Sequence, residues 1–129
     1  MNKKLRVAWD IDDTLYKVRR PFDSDKHTYP QIPDYDLIQV LRWFHANDHE
    51  CFVWSAGGED YAQTIVNKLG LTDMVTVIPK VALNDPSNPH SIDIAFDDSE
   101  TKLARVDVRV KREENDYGEI KQEGNREEE

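Results

Sequence analysis

The sequence predicts an α/β fold, one domain over residues 1–110, with a central, mostly parallel sheet of about five strands covered on both faces in three layers. Three observations lead to this. Short apolar runs alternate with segments of helical period along the chain. The apolar runs end abruptly in polar residues: Asp10, Ser55 and the pair Asp97-Asp98, with Lys80 closely following another. The length of 129 residues also suits a single domain.

Leu5–Trp9 reads as a buried strand that stops at Asp10. Tyr16–Pro33 carries three prolines and mixed charges without a sustained period, and is expected to be a long loop or small flap. Pro33-Asp34 offers a helix start, and Leu37, Ile38, Leu41 and Phe44 recur at helical spacing until Asn47-Asp48. Cys51–Trp54 is the second apolar run, followed by the loop Ala56-Gly57-Gly58. Glu59–Leu69 is a second helix: Ala62, Ile65, Val66 and Leu69 share a face, acidic residues fill the first turn and Gly70 is placed to cap its end. Met74–Ile78, Ile92–Phe96 and Val106–Val110 are the remaining strands, with a short helical turn expected over Ser99–Leu103. Residues 111–129 form an acidic tail with 4 basic and 8 acidic side chains, expected to be disordered.

Composition narrows the function classes. No apolar run approaches the ~20 residues of a bilayer crossing, and none matches a signal peptide. The single cysteine, Cys51, excludes an internal disulfide and a cysteine-based zinc site, so a cytoplasmic location is expected. The net charge of −9 argues against a general nucleic-acid binder, leaving nucleic acid only as a substrate. Four histidines, His27, His45, His49 and His90, lie scattered without metal-ligand spacing. Trp9, Trp43 and Trp54 lie in or beside apolar runs and are expected in the core.

The chemistry-bearing residues gather at strand ends, where sites form in parallel sheets. Asp10 and Asp12, two residues apart just past a strand, can turn toward a common point. If Asp97-Asp98 meets them, up to four carboxylates share a small volume, which is stable only around a cation. Oxygen-only ligands favour a hard ion, Mg²⁺. Mg²⁺ held by carboxylates usually handles phosphates. Ser55, with the nearby backbone N–H groups of Ala56 and its neighbours, is suited to phosphate oxygens. Lys80 is suited to neutralising charge on a transferring phosphoryl group.

The ordered set VAWDIDDTL, CFVWSAGG, VIPK and DIAFDDSE resembles the haloacid dehalogenase (HAD) superfamily over residues 5–100. The resemblance implies a Rossmann-like, HAD-like fold and a Mg²⁺-dependent hydrolysis of phosphate monoesters. Asp10 would be the nucleophile and Asp12 the general acid/base. Mg²⁺ would be held by Asp10, the backbone carbonyl of Asp12 and Asp98, with Asp97 holding water or Lys80. Thr14 would support the first loop, and Ser55, Ala56 and Lys80 would hold the phosphate. One departure stands out: where the family's fourth motif often places another acid, this chain has Thr101 and Lys102, and the nearest acid is Glu100.

The 43 residues from Asp12 to Ser55 and the 25 from Ser55 to Lys80 leave no room for a large cap domain. An open site suits a macromolecular phosphoester, or a small substrate if a neighbouring subunit supplies the lid. Lys17, Arg19, Arg20 and Lys26 against Asp23 and Asp25 make the Tyr16–Pro33 loop basic, suited to attracting an anionic substrate. Within the superfamily, the polynucleotide 3′-phosphatases and the protein phosphatases acting on the polymerase C-terminal domain are alternatives. A non-catalytic HAD-like module or a receiver-like phospho-acceptor domain is the alternative of another class.

Overall fold

A computed structural model of the chain describes residues 3–18, 31–88 and 91–112. Five parallel strands form the sheet in the order β5-β4-β1-β6-β7: β1 (Arg6–Trp9), β4 (Glu50–Val53), β5 (Thr76–Val77), β6 (Ile94–Asp97) and β7 (Val106–Arg109). A separate antiparallel pair, β2 (Tyr16–Val18) and β3 (Gln31–Pro33), is the stem of the expected flap. Arg19, Arg20 and Lys26, the rest of its basic character, lie outside the described residues. Two helices complete the fold, α1 (Tyr35–Ala46) and α2 (Glu59–Lys68).

Local chemistry sets the helix bounds. Asp34 caps α1 by accepting from the Leu37 N–H at 3.0 Å. Helix α2 has no side-chain cap at its start, but Glu59 and Asp60 complement the dipole there. It ends at Gly70, whose φ of 73° suits a residue without Cβ, as the spacing predicted.

The two helices lie on one face. Val7 and Trp9 of β1 and Cys51 and Val53 of β4 pack in one cluster with Ile38 and Leu41 of α1 and Ala62, Ile65 and Val66 of α2. The opposite face buries Ala8, Phe52, Trp54 and Ala95 under Ile78, Ile92, Leu103 and Ala104, which belong to irregular connections. The layers therefore number three only if those connections count as one. The reason is the direction of travel. Right-handed crossovers β1–α1–β4 and β4–α2–β5 step the same way across the sheet and so place both helices on the same side. The chain then returns past β1 to β6 and β7, and those connections cross the other side.

The helical turn expected over Ser99–Leu103 does not form. Side-chain oxygens take its N–H groups instead: Asp97 accepts from Ser99, Ser99 from Thr101, and Asp107 from both Leu103 and Ala104. Trp9 and Trp54 are fully buried as expected, but Trp43 is 57% exposed on the outer side of α1. Trp9 stacks on Phe96 at 5.2 Å and meets Phe44 edge-on at 5.7 Å. That aromatic set is worth roughly 0.5–1.5 kcal/mol per pair beyond its burial, and it locks the end of β1 against β6 and α1.

Candidate active site

Strand β1 hands its chain to α1 on one face, while its neighbour β6 connects across the other. The cleft between their carboxyl ends is the switch point at which open α/β sheets bind ligands. Asp10 leaves β1 there, with its N–H donating to the Phe96 carbonyl at 3.0 Å. Asp97 ends β6 and Asp98 follows it. Carboxylate oxygens of Asp10, Asp97 and Asp98 all lie within 4.8 Å of one another, so residues 87 or more positions apart in sequence converge on one point.

The electrostatics show the strain of that convergence. Burial, and next to it the Asp97 carboxylate, push the Asp10 carboxyl up to about 7, with Lys80 working in the other direction. Asp98 is also raised, chiefly by burial, and its side chain is hydrogen-bonded to that of Asp10. Two carboxyls in that relation titrate as a coupled pair. Lys80, after β5, reaches across to the group, 2.7 Å from Asp97 Oδ2 and 3.4 Å from Asp10 Oδ1. Burial works against the Lys80 charge, but Asp97 and Asp10 outweigh it and hold its pKa above the ordinary lysine value. Of the two partners the resemblance implied for Asp97, water or Lys80, the side chain of Lys80 lies in contact with it. An all-oxygen group of three crowded carboxyls is chemically able to hold a hard divalent cation.

The turn after Asp10 is tightly built. Thr14 N–H and Tyr16 N–H both donate to the Ile11 carbonyl, and Asp13 takes a left-handed φ of 60°. Thr14 is fully buried. Arg112, three residues after β7 ends, braces this turn: its guanidinium donates to the carbonyls of Asp13 at 3.2 Å and Thr14 at 2.6 Å. The same guanidinium pairs with Asp34 Oδ2 at 2.8 Å, tying the turn to the start of α1. Burial would raise the Asp34 carboxyl, but the Leu37 N–H and Arg112 together hold it below the usual range.

The other expected site residues stand around this centre. Asp12 is exposed and is not one of the three converging carboxylates; its Oδ1 accepts from Tyr61 Oη at 2.6 Å. Ser55 is buried at the end of β4, and its Oγ accepts from the Gly57 N–H at 2.9 Å, so it is held within its own turn. Ala56 is exposed in that turn. Glu100, the nearest acid to the family's additional acidic position, pairs with Arg109 instead of joining the cluster.

Sequence reasoning did not single out Tyr61 or Arg112 as parts of the site. Tyr61 occupies the first turn of a helix three residues after the Gly-Gly pair, a placement that could have marked it. Arg112 carries no local signal, since its partners lie about a hundred residues upstream. No family model, curated protein or solved structure matches this chain. Among the described residues, no helix is long and apolar enough to cross a membrane.

Proposed function

We propose that this protein is a Mg²⁺-dependent phosphoric monoester hydrolase of the HAD type, working through an aspartyl-phosphate on Asp10. The observation that carries the reading is the meeting of Asp10, Asp97 and Asp98 with Lys80 at the switch point of the sheet.

Asp10, Asp98 and the backbone carbonyl of Asp12 would hold the ion, which supplies positive charge to keep the carboxylates ionised and to draw charge from the phosphoryl oxygens. An oxygen of Asp10 attacks phosphorus and the bond to the leaving oxygen breaks. Asp12 gives that oxygen its proton. Water then attacks the aspartyl-phosphate, Asp12 takes the water's proton, and inorganic phosphate leaves with Asp10 restored. Lys80, held by Asp97, faces the negative charge that accumulates on the transferring group. The Ser55 turn, with the Ala56 backbone, receives the remaining phosphate oxygens.

A screen of aryl, sugar, nucleotide, phosphopeptide and 3′-phosphate oligonucleotide substrates, with Mg²⁺ and with chelator, tests this directly. Metal-dependent phosphate release is expected on at least one class, absent in Asp10→Asn, with a trapped covalent phosphate in Asp12→Asn. The class turned over separates the polynucleotide and protein phosphatase alternatives. A second reading, a receiver-like phospho-acceptor, is favoured by the contact of Lys80 with both Asp97 and Asp10; it predicts stoichiometric phosphorylation without repeated turnover.

A further inference from the structure

A general acid at an open site has a difficulty that a buried one lacks. The Asp12 side chain is exposed, so solvent and its own rotamers compete with the orientation that proton transfer needs. Tyr61 answers that difficulty. Its hydroxyl donates to Asp12 Oδ1 at 2.6 Å across 49 residues, within the range of charge-assisted O–H···O⁻ bonds. The tyrosine itself is well founded. Helix α2 is anchored by the buried Ala62, Ile65 and Val66 next to it. Gly57 leaves space for the ring: a Cβ there would lie 3.2 Å from Tyr61 Cδ2 and 3.4 Å from Ser55 Oγ.

We infer that Tyr61 is a positioning residue for Asp12: it fixes one carboxylate oxygen so that the other meets the leaving group, and later the attacking water, in one orientation. The glycine at 57 belongs to the same device, because a side chain there would press on the ring. This inference rests on the phosphatase reading, and its test separates the two.

The full-length chain with Mg²⁺ is compared with Tyr61→Phe on two substrates. p-Nitrophenyl phosphate has a leaving group that departs with little help from an acid; ethyl phosphate has one that must be protonated. Tyr61→Phe is expected to keep the rate of the first nitrophenolate turnover within about 3-fold of wild type. It then slows about 10-fold or more, giving a burst, because water activation still depends on Asp12. On ethyl phosphate the first turnover itself is slowed about 10-fold or more, with no burst. Gly57→Ala, which displaces the ring without removing the hydroxyl, shifts both substrates in the same pattern. Gln63→Ala, on the exposed side of α2, leaves the pattern of wild type. A general structural role would slow both substrates alike and give no burst, and that result overturns the inference, as does unchanged behaviour in Tyr61→Phe. If wild type turns over no phosphate monoester, the phosphatase reading falls and this inference with it. If wild type is active but Tyr61→Phe keeps the wild-type ratio of first-turnover rates between the two substrates and shows no burst, only the inference falls.

Discussion

The raised Asp10 carboxyl makes the metal-free protein's stability depend on pH in a definite direction. In the unfolded chain this group releases its proton near 3.8; in the folded protein it holds it to about 7. Between those values the folded state binds more protons than the unfolded state, so stability falls as pH rises. The contribution is fully present below the unfolded value and lost once pH passes the folded one. At about 1.4 kcal/mol per pH unit, and with Asp10 and Asp98 titrating as a coupled pair, the loss is on the order of 2–4 kcal/mol. The assay is urea unfolding in chelator from pH 5 to 8, for wild type and Asp10→Asn. That window avoids Asp34 and Asp93, whose lowered values give stability that disappears only as pH falls below the ordinary carboxylate range. The unfolding free energy of wild type minus that of the variant should decline by that amount across the window. Saturating Mg²⁺ should abolish the decline, because a cation that replaces the proton binds better as pH rises. A difference that is flat in chelator, or that rises with pH, would refute the electrostatic account of the site.

Two further outcomes follow from named contacts. Lys80→Met removes the cation that faces Asp97 and Asp10, and should lower metal-free stability by about 1–3 kcal/mol in urea titrations, less than a fully buried pair would lose because the lysine retains some exposure. Mg²⁺ should restore much of that stability but little of the turnover. Arg112→Ala should cost about 1–3 kcal/mol through the loss of its carbonyl contacts and its pair with Asp34. Arg112→Lys should recover less than half of it in the same titrations, since a single ammonium cannot span the turn and α1 together.

The strand ends were legible because the physics there is local. A run such as Val7-Ala8-Trp9 must be buried, and a polar residue directly after it ends the apolar strand, so Asp10, Ser55 and Asp97-Asp98 announce themselves by an abrupt change of polarity. The Asp34 cap and the Gly70 stop are likewise short-range. What the chain conceals is long-range. Both helices share a face because of the order in which strands are laid down, which no local pattern records. Ser-Glu-Thr-Lys over residues 99–102 has the composition of a helical turn, yet its backbone N–H groups are captured by side-chain oxygens of Asp97 and Ser99, and those of the next two residues by Asp107. The Tyr61 hydroxyl and the Arg112 guanidinium act on a turn that precedes them by 49 and about a hundred residues. A half-buried helical tyrosine and an arginine beside an acidic stretch look ordinary until the fold joins them to it.

Strand β1 is the first element of the chain and the centre of the sheet, with partners 44 and 87 residues downstream. Its Asp10 turn is braced by Arg112, later still. Such distant pairings make folding slow, since long loops must close before any contact rewards them. They also impose a timetable during synthesis: the Asp10 turn emerges first but has neither its acidic neighbours nor its brace until almost the whole body has been made. The carboxylate cluster is therefore assembled late and at once, and a chain arrested partway through translation carries the Asp10 motif without the cluster.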